Sequence, residues 1–97
     1  LVTRDNFFIL IMLETKHYKV QGIGANQYEI FFKKSNLILF QSYETVVAAR
    51  LENLDYVQTE VKHSQTTSRH IKKWLDGVKA ELKPQEFFDN LNNKLKK

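Results

Sequence analysis

Ninety-seven residues suffice for one hydrophobic core and fall short of two, and an apolar share of 42% beside 27% charged residues excludes a disordered chain. Cysteine is absent, which excludes a disulfide framework, a thiolate zinc site and a cysteine nucleophile, and agrees with a reducing compartment, the cytoplasm by default. The formal net charge of +4 is unevenly placed, at −1 over residues 1–61 and +5 over residues 62–97, and charge gathered in this way is what an acidic partner requires.

The chain is expected to fold as a single domain over 1–97. Its longest apolar run, Phe7 to Leu13, is about a third of the roughly 20 residues a membrane helix needs, so it reads as a buried strand and no membrane contact is expected. Because the only methionine is Met12, residues 1–11 read as a non-essential N-terminal extension, with a natural start at Met12 or upstream of Leu1. Next, Tyr18 and Val20 alternate with polar neighbours, as do Tyr28, Ile30 and Phe32, and Gly22 to Asn26 between them supplies the turn of a hairpin. A second turn at Lys33 to Asn36 leads into Asn36 to Ser42, whose continuous apolar centre suits a strand covered on both faces. Thr45 to Glu52 and Asp55 to Val61 complete an antiparallel meander of four or five strands.

The period then changes. Ile71, Trp74, Leu75, Val78 and Leu82 fall on one stripe of a 3.6-residue helix packing across the sheet; Gly77 allows it to stop near Asp76 and restart, but the in-register stripe favours a helix over Thr67 to Leu82 that runs through. Pro84 suits the first turn of a second helix, with Phe87, Phe88, Leu91 and Leu95 on its apolar side. The fold class is therefore α+β, with the helical part over about 66–96 and the C-terminal helix beside the first.

The stretch His63 to Leu75 carries the chemistry. Ser64, Thr66, Thr67 and Ser68 can each cap a helix, yet no acid lies between Val61 and Leu75, where the positive N-terminal end of a helix dipole normally attracts one. Hydroxyls and cations around free helix amides suit an anion. Lys62, Thr66, Thr67, Arg69, His70, Lys72, Lys73 and Lys79 accordingly form a candidate nucleic-acid or anion-binding set, against the plainer reading that Arg69, Lys72 and Lys73 are a solvated helix face. His63 and His70 have neither cysteine nor clustered carboxylates beside them, so no metal or other cofactor is expected. No catalytic constellation stands out, and the chain does not read as an enzyme. Trp74 belongs to the core stripe, while Phe31 and Tyr43 are either stacking platforms or parts of a covered face, the latter preferred.

Two stretches, SYETVVA at Ser42 to Ala48 and HSQTTSRHIKKWL at His63 to Leu75, resemble a group of small uncharacterised proteins of bacteriophages and mobile elements. The resemblance implies a phage source and a sheet-plus-helix fold, and carries over no functional residue. It also suggests an architectural latch in which Thr45 meets Thr66, Thr67, Arg69 and His70. The function expected is that of a non-enzymatic phage accessory protein touching nucleic-acid backbone. The alternative is an interaction module that binds an acidic host protein or self-associates through Phe87, Phe88 and the N-terminal run.

Overall fold

The computed structural model describes residues 12–95. The expectations for the N-terminal extension and for most of the apolar run therefore lie outside the described residues. Strands β1 (Met12–Glu14), β2 (Tyr18–Gly24), β3 (Gln27–Phe32), β4 (Ile38–Ser42), β5 (Thr45–Arg50) and β6 (Tyr56–Thr59) form a meander in sequence order, each antiparallel to the last. Helix α1 (Gln65–Leu75) follows, then β7 (Glu81–Lys83), which pairs with β6 in parallel, and finally helix α2 (Gln85–Leu95). The class is α+β as read from the sequence, but the sheet has seven strands and is mixed rather than antiparallel.

The added parallel strand arises where the sequence pattern predicts helix. The stripe through Val78 and Leu82 is broken at Asp76, which adopts a left-handed conformation (φ 47°) and donates its N–H to the Lys72 carbonyl at 3.1 Å. Gly77 continues at φ 85°, a region that costs glycine nothing, and Val78 N–H closes back on the Leu75 carbonyl at 2.9 Å. Asp-Gly at the end of an apolar stripe is a stop signal, and it outweighs the in-register Val78 and Leu82. Those two side chains are 44% and 59% exposed instead of packed.

Turns elsewhere follow local chemistry. The Gly22–Asn26 segment is not all turn: β2 runs on to Gly24 with a bulge between Gly22 and Gly24, and the reversal is made at Ala25 and Asn26, the latter at φ 58°. A Cβ on Gly24 would lie 2.6 Å from the Gln27 side-chain nitrogen, so any larger residue there has to displace the flexible end of Gln27.

The two helices lie on opposite faces of the sheet, not side by side. Adjacent residues of a strand point to opposite faces. Leu39 packs with Ile30, Phe32, Val46, Ala49, Val57 and Phe88 of α2, whereas its neighbour Phe40 packs with Val47, Ala48 and Ile71 and Leu75 of α1. A register shift between Phe40 and Gln41 lets Val47 and Ala48 join the same cluster although they are consecutive. This double coverage is why β4 and β5 carry continuous apolar runs. Phe88, fully buried, anchors α2, and the edge-on ring of Phe87 lies 5.2 Å from it.

Candidate functional site

Helix α1 begins where backbone geometry and a hydroxyl coincide. Ser64 is extended (φ −158°, ψ 165°), and its Oγ accepts the Thr67 N–H at 3.0 Å, while its carbonyl accepts the Ser68 N–H at 3.0 Å. Of the four hydroxyl residues that could cap, the chain thus uses Ser64. One of the amides that made the helix start an anion site is therefore already satisfied, and the first turn contains no acid.

The hydroxyl of Thr67 turns inward. It lies 3.1 Å from Ser42 Oγ, at the end of β4, and the same Ser42 oxygen lies 2.8 Å from His70 Nδ1. Ser42 is 2% exposed and Thr67 5%. The buried Ser42 and Thr67 hydroxyls are thus satisfied by each other and by the half-buried His70, as buried polar groups require. When Nδ1 carries no proton, Ser42 donates to it and accepts from Thr67; when Nδ1 is protonated, Nδ1–H donates to Ser42 and the Ser42 hydroxyl donates to Thr67. Burial lowers the His70 pKa, and the neighbouring positive Lys73 lowers it further. The Tyr43 ring, 5.8 Å from that of His70, sits on a residue at φ 56° in the tight β4–β5 turn.

A strand-to-helix latch is therefore present, with different members from those expected. Ser42, not Thr45, meets the helix, and it meets Thr67 and His70 rather than Thr66 or Arg69. Ser42 opens the first of the two resembling stretches and Thr67 and His70 lie in the second. The hydroxyls are visible in the sequence but their pairing is not: only the register, with Ser42 opposite Gln27 and Thr45, fixes which hydroxyl lies under the helix. A serine oxygen beside an imidazole nitrogen also has the look of a nucleophile and its base. At 2% exposure, however, the Ser42 oxygen has no path to an external carbonyl.

The remaining members of the candidate set face outward. Lys62, Thr66, Arg69, Lys72, Lys73 and Lys79 are all exposed, as is Ser68. Among the described residues the ion pairs are Lys33 with Glu14 at 2.6 Å and Lys83 with Glu81 at 3.3 Å, so none of the five cations Lys62, Arg69, Lys72, Lys73 and Lys79 is paired. Part of this placement has a structural reason, since Lys72 and Lys73 occupy the last turn of α1, where the negative end of the helix dipole favours them. Arg69 has no such reason, and neither do Lys62 and Lys79, which lie outside the helix. The set thus divides into six outward residues and two, Thr67 and His70, that hold the helix down.

The other polar residues near the site are structural ties. His63 Nε2 lies 2.8 Å from Gln85 Oε1, and the Gln85 amide donates to the Val46 carbonyl at 2.7 Å, joining the approach to α1 with the start of α2. Trp74 stacks on Phe40 at 5.1 Å with an interplanar angle of 14°, and its indole N–H donates to the Glu29 carboxylate at 2.8 Å. The ring is thereby held against the sheet. Phe31 is half-buried and Tyr43 is 46% exposed. Among the described residues no group of three or more His, Cys, Asp or Glu is arranged to hold a metal ion, and no helix is long and apolar enough to cross a membrane.

The arrangement defines a mixed-sheet α+β domain with a hydroxyl-latched helix whose outer side is cationic. Residues 18–90, from the start of β2 into α2, match a family of unknown function, DUF8033, and the chain belongs to that family. No curated protein matches the chain, and no solved structure matches it.

Proposed function

We propose that the protein is a small non-enzymatic accessory protein of a bacteriophage or mobile element, and that it contacts nucleic-acid backbone through Lys62, Arg69, Lys72, Lys73 and Lys79. The observation that supports this reading is the clustering of the cations: these five are exposed and unpaired among the described residues, and between Lys62 and Lys79 the sequence holds a single acid, Asp76. Exposed lysine and arginine side chains with no internal partner release counterions when they meet phosphates, and that release drives sequence-independent binding. Thr66 and Ser68, also exposed, add hydroxyl donors for phosphate oxygens on the same helix. Thr67 and His70 serve the site by fixing the helix on the sheet.

The test is fluorescence anisotropy of a labelled mixed-sequence duplex titrated with the protein at increasing salt. Five phosphate contacts set a slope of log affinity against log salt of about −4 to −5, with little dependence on sequence. Reversing Arg69 and Lys73 to glutamate is expected to abolish binding while lowering stability by only about 1 kcal/mol, chiefly because Lys73 lies at the negative end of the α1 dipole. Absence of binding at low salt rejects the reading. Binding to an acidic protein with no affinity for nucleic acid would assign the same cations to the alternative partner.

A further inference from the structure

The C-terminal edge of the sheet has a property that the basic helix does not use. Strand β7 is the last in the sheet order, so one side of it is free of any strand among the described residues. Its pairing with β6 runs Val57 to Glu81, Gln58 to Leu82 and Thr59 to Lys83, and the Lys83 carbonyl accepts the Glu60 N–H at 2.8 Å. Backbone groups of successive strand residues point to alternate sides. Lys83 and Glu81 therefore address β6, and Leu82 turns its N–H and C=O outward. Its side chain shares the α1 face with Gln58 and is 59% exposed, the largest value among the exposed apolar residues described.

We propose that this edge pairs with the same edge of a second copy of the chain, antiparallel, about a two-fold axis at Leu82. The sequence Glu81-Leu82-Lys83 is its own complement in that register. Leu82 faces Leu82 of the second copy and the two exchange both backbone hydrogen bonds, forming the closely bonded type of antiparallel pair. Glu81 of each copy then lies opposite Lys83 of the other, so both cross-strand pairs are of opposite sign. Within one chain Glu81 and Lys83 already meet at 3.3 Å on the opposite face from Leu82, with 71% and 33% of their side chains exposed, so the second copy has only to exchange partners. Exposed Val78 lies on the α1 face as well, lining with Gln58 and Ile71 the groove beside α1.

The chain also limits this pairing. On the C-terminal side the next residue to face outward is Pro84, which has no N–H, so its pairing with Ala80 of the second copy holds at most one hydrogen bond, and the two-fold register closes the contact as a dimer instead of a filament. Opposed residues keep their side chains on a common face, so the dimer joins two sheets into one of fourteen strands with both α1 helices on the same side.

Sedimentation of the full chain from about 10 µM to about 1 mM tests the proposal, a range suited to a short interface. Reversible dimerisation is expected, weakened at least tenfold by Leu82→Asp with the far-ultraviolet spectrum and melting unchanged, as befits an exposed position. Glu81→Lys and Lys83→Glu, made singly, should each weaken it, and the double exchange should restore it to within about threefold, because the swapped edge is again self-complementary. A monomer at the highest concentration, association indifferent to Leu82→Asp, or a double exchange no better than the single changes would each overturn the proposal. The second of these would place self-association elsewhere, as at the apolar N-terminal run.

Discussion

The two helices have the same length, eleven residues each, yet they are held to the sheet by different physics. Helix α2 is set down by apolar burial: Phe88 has no exposure and packs into a cluster drawn from β3, β4, β5 and β6. Helix α1 buries only Ile71 and Leu75 as apolar residues and adds a hydroxyl–imidazole latch at one end and the stacked Trp74 at the other. An apolar anchor tolerates little change in shape, whereas a polar latch fixes position and register with few atoms. That economy leaves most of the α1 surface free to carry cations.

Four substitutions break or sharpen this contrast. Phe88→Ala should be the most damaging, at about 3–5 kcal/mol in chemical denaturation, because it empties the centre of the α2 face. Ser42→Ala should cost about 1–3 kcal/mol, since it leaves both the Thr67 hydroxyl and His70 Nδ1 without a partner; Thr67→Val orphans neither and should cost less. Ser64→Ala removes the cap alone and should lower stability by about 1 kcal/mol without altering the latch.

The smallest effect concerns pH. The His70 pKa is lower in the folded chain than in the unfolded one, so the unfolded state binds the extra proton first as pH falls. The stability His70 contributes is full above the ordinary imidazole value of about 6.5 and declines as the pH drops through and below it. Melting curves between about pH 7.5 and pH 5 should therefore fall less steeply for His70→Gln than for the unmodified chain. An equal slope would mean that the imidazole is not desolvated.

Local pattern carried most of the meander. Alternation at Tyr18 and Val20 and at Tyr28, Ile30 and Phe32, with the turn at Lys33 to Asn36, places β2, β3 and β4 correctly. The continuous run Val46 to Ala49 reveals that β5 is covered on both faces but not that a register shift puts two neighbours on one side. What periodicity could not supply was the end of α1: Val78 and Leu82 continue the helical stripe, and only the backbone preference of Asp76 and Gly77 turns them into a return path and an edge strand. At the site, the cationic composition of α1 was legible because exposed charge needs no partner. The latch was half legible, since hydroxyls at both ends announced a contact but its pairing depends on strand register.

The parallel return of β7 also ties the edge of the sheet to the helix in time. Strands β2 to β6 are joined by short reversals and can assemble early from near neighbours, whereas β7 reaches β6 only after the chain has crossed one face as α1. In hydrogen–deuterium exchange the Lys83 amide, which faces β6, should accordingly open together with the α1 amides, and loosening Ser42 on one side of the molecule should accelerate exchange at the far margin. Coincident exchange at these two places is the expected mark of helix docking and sheet completion as one cooperative event.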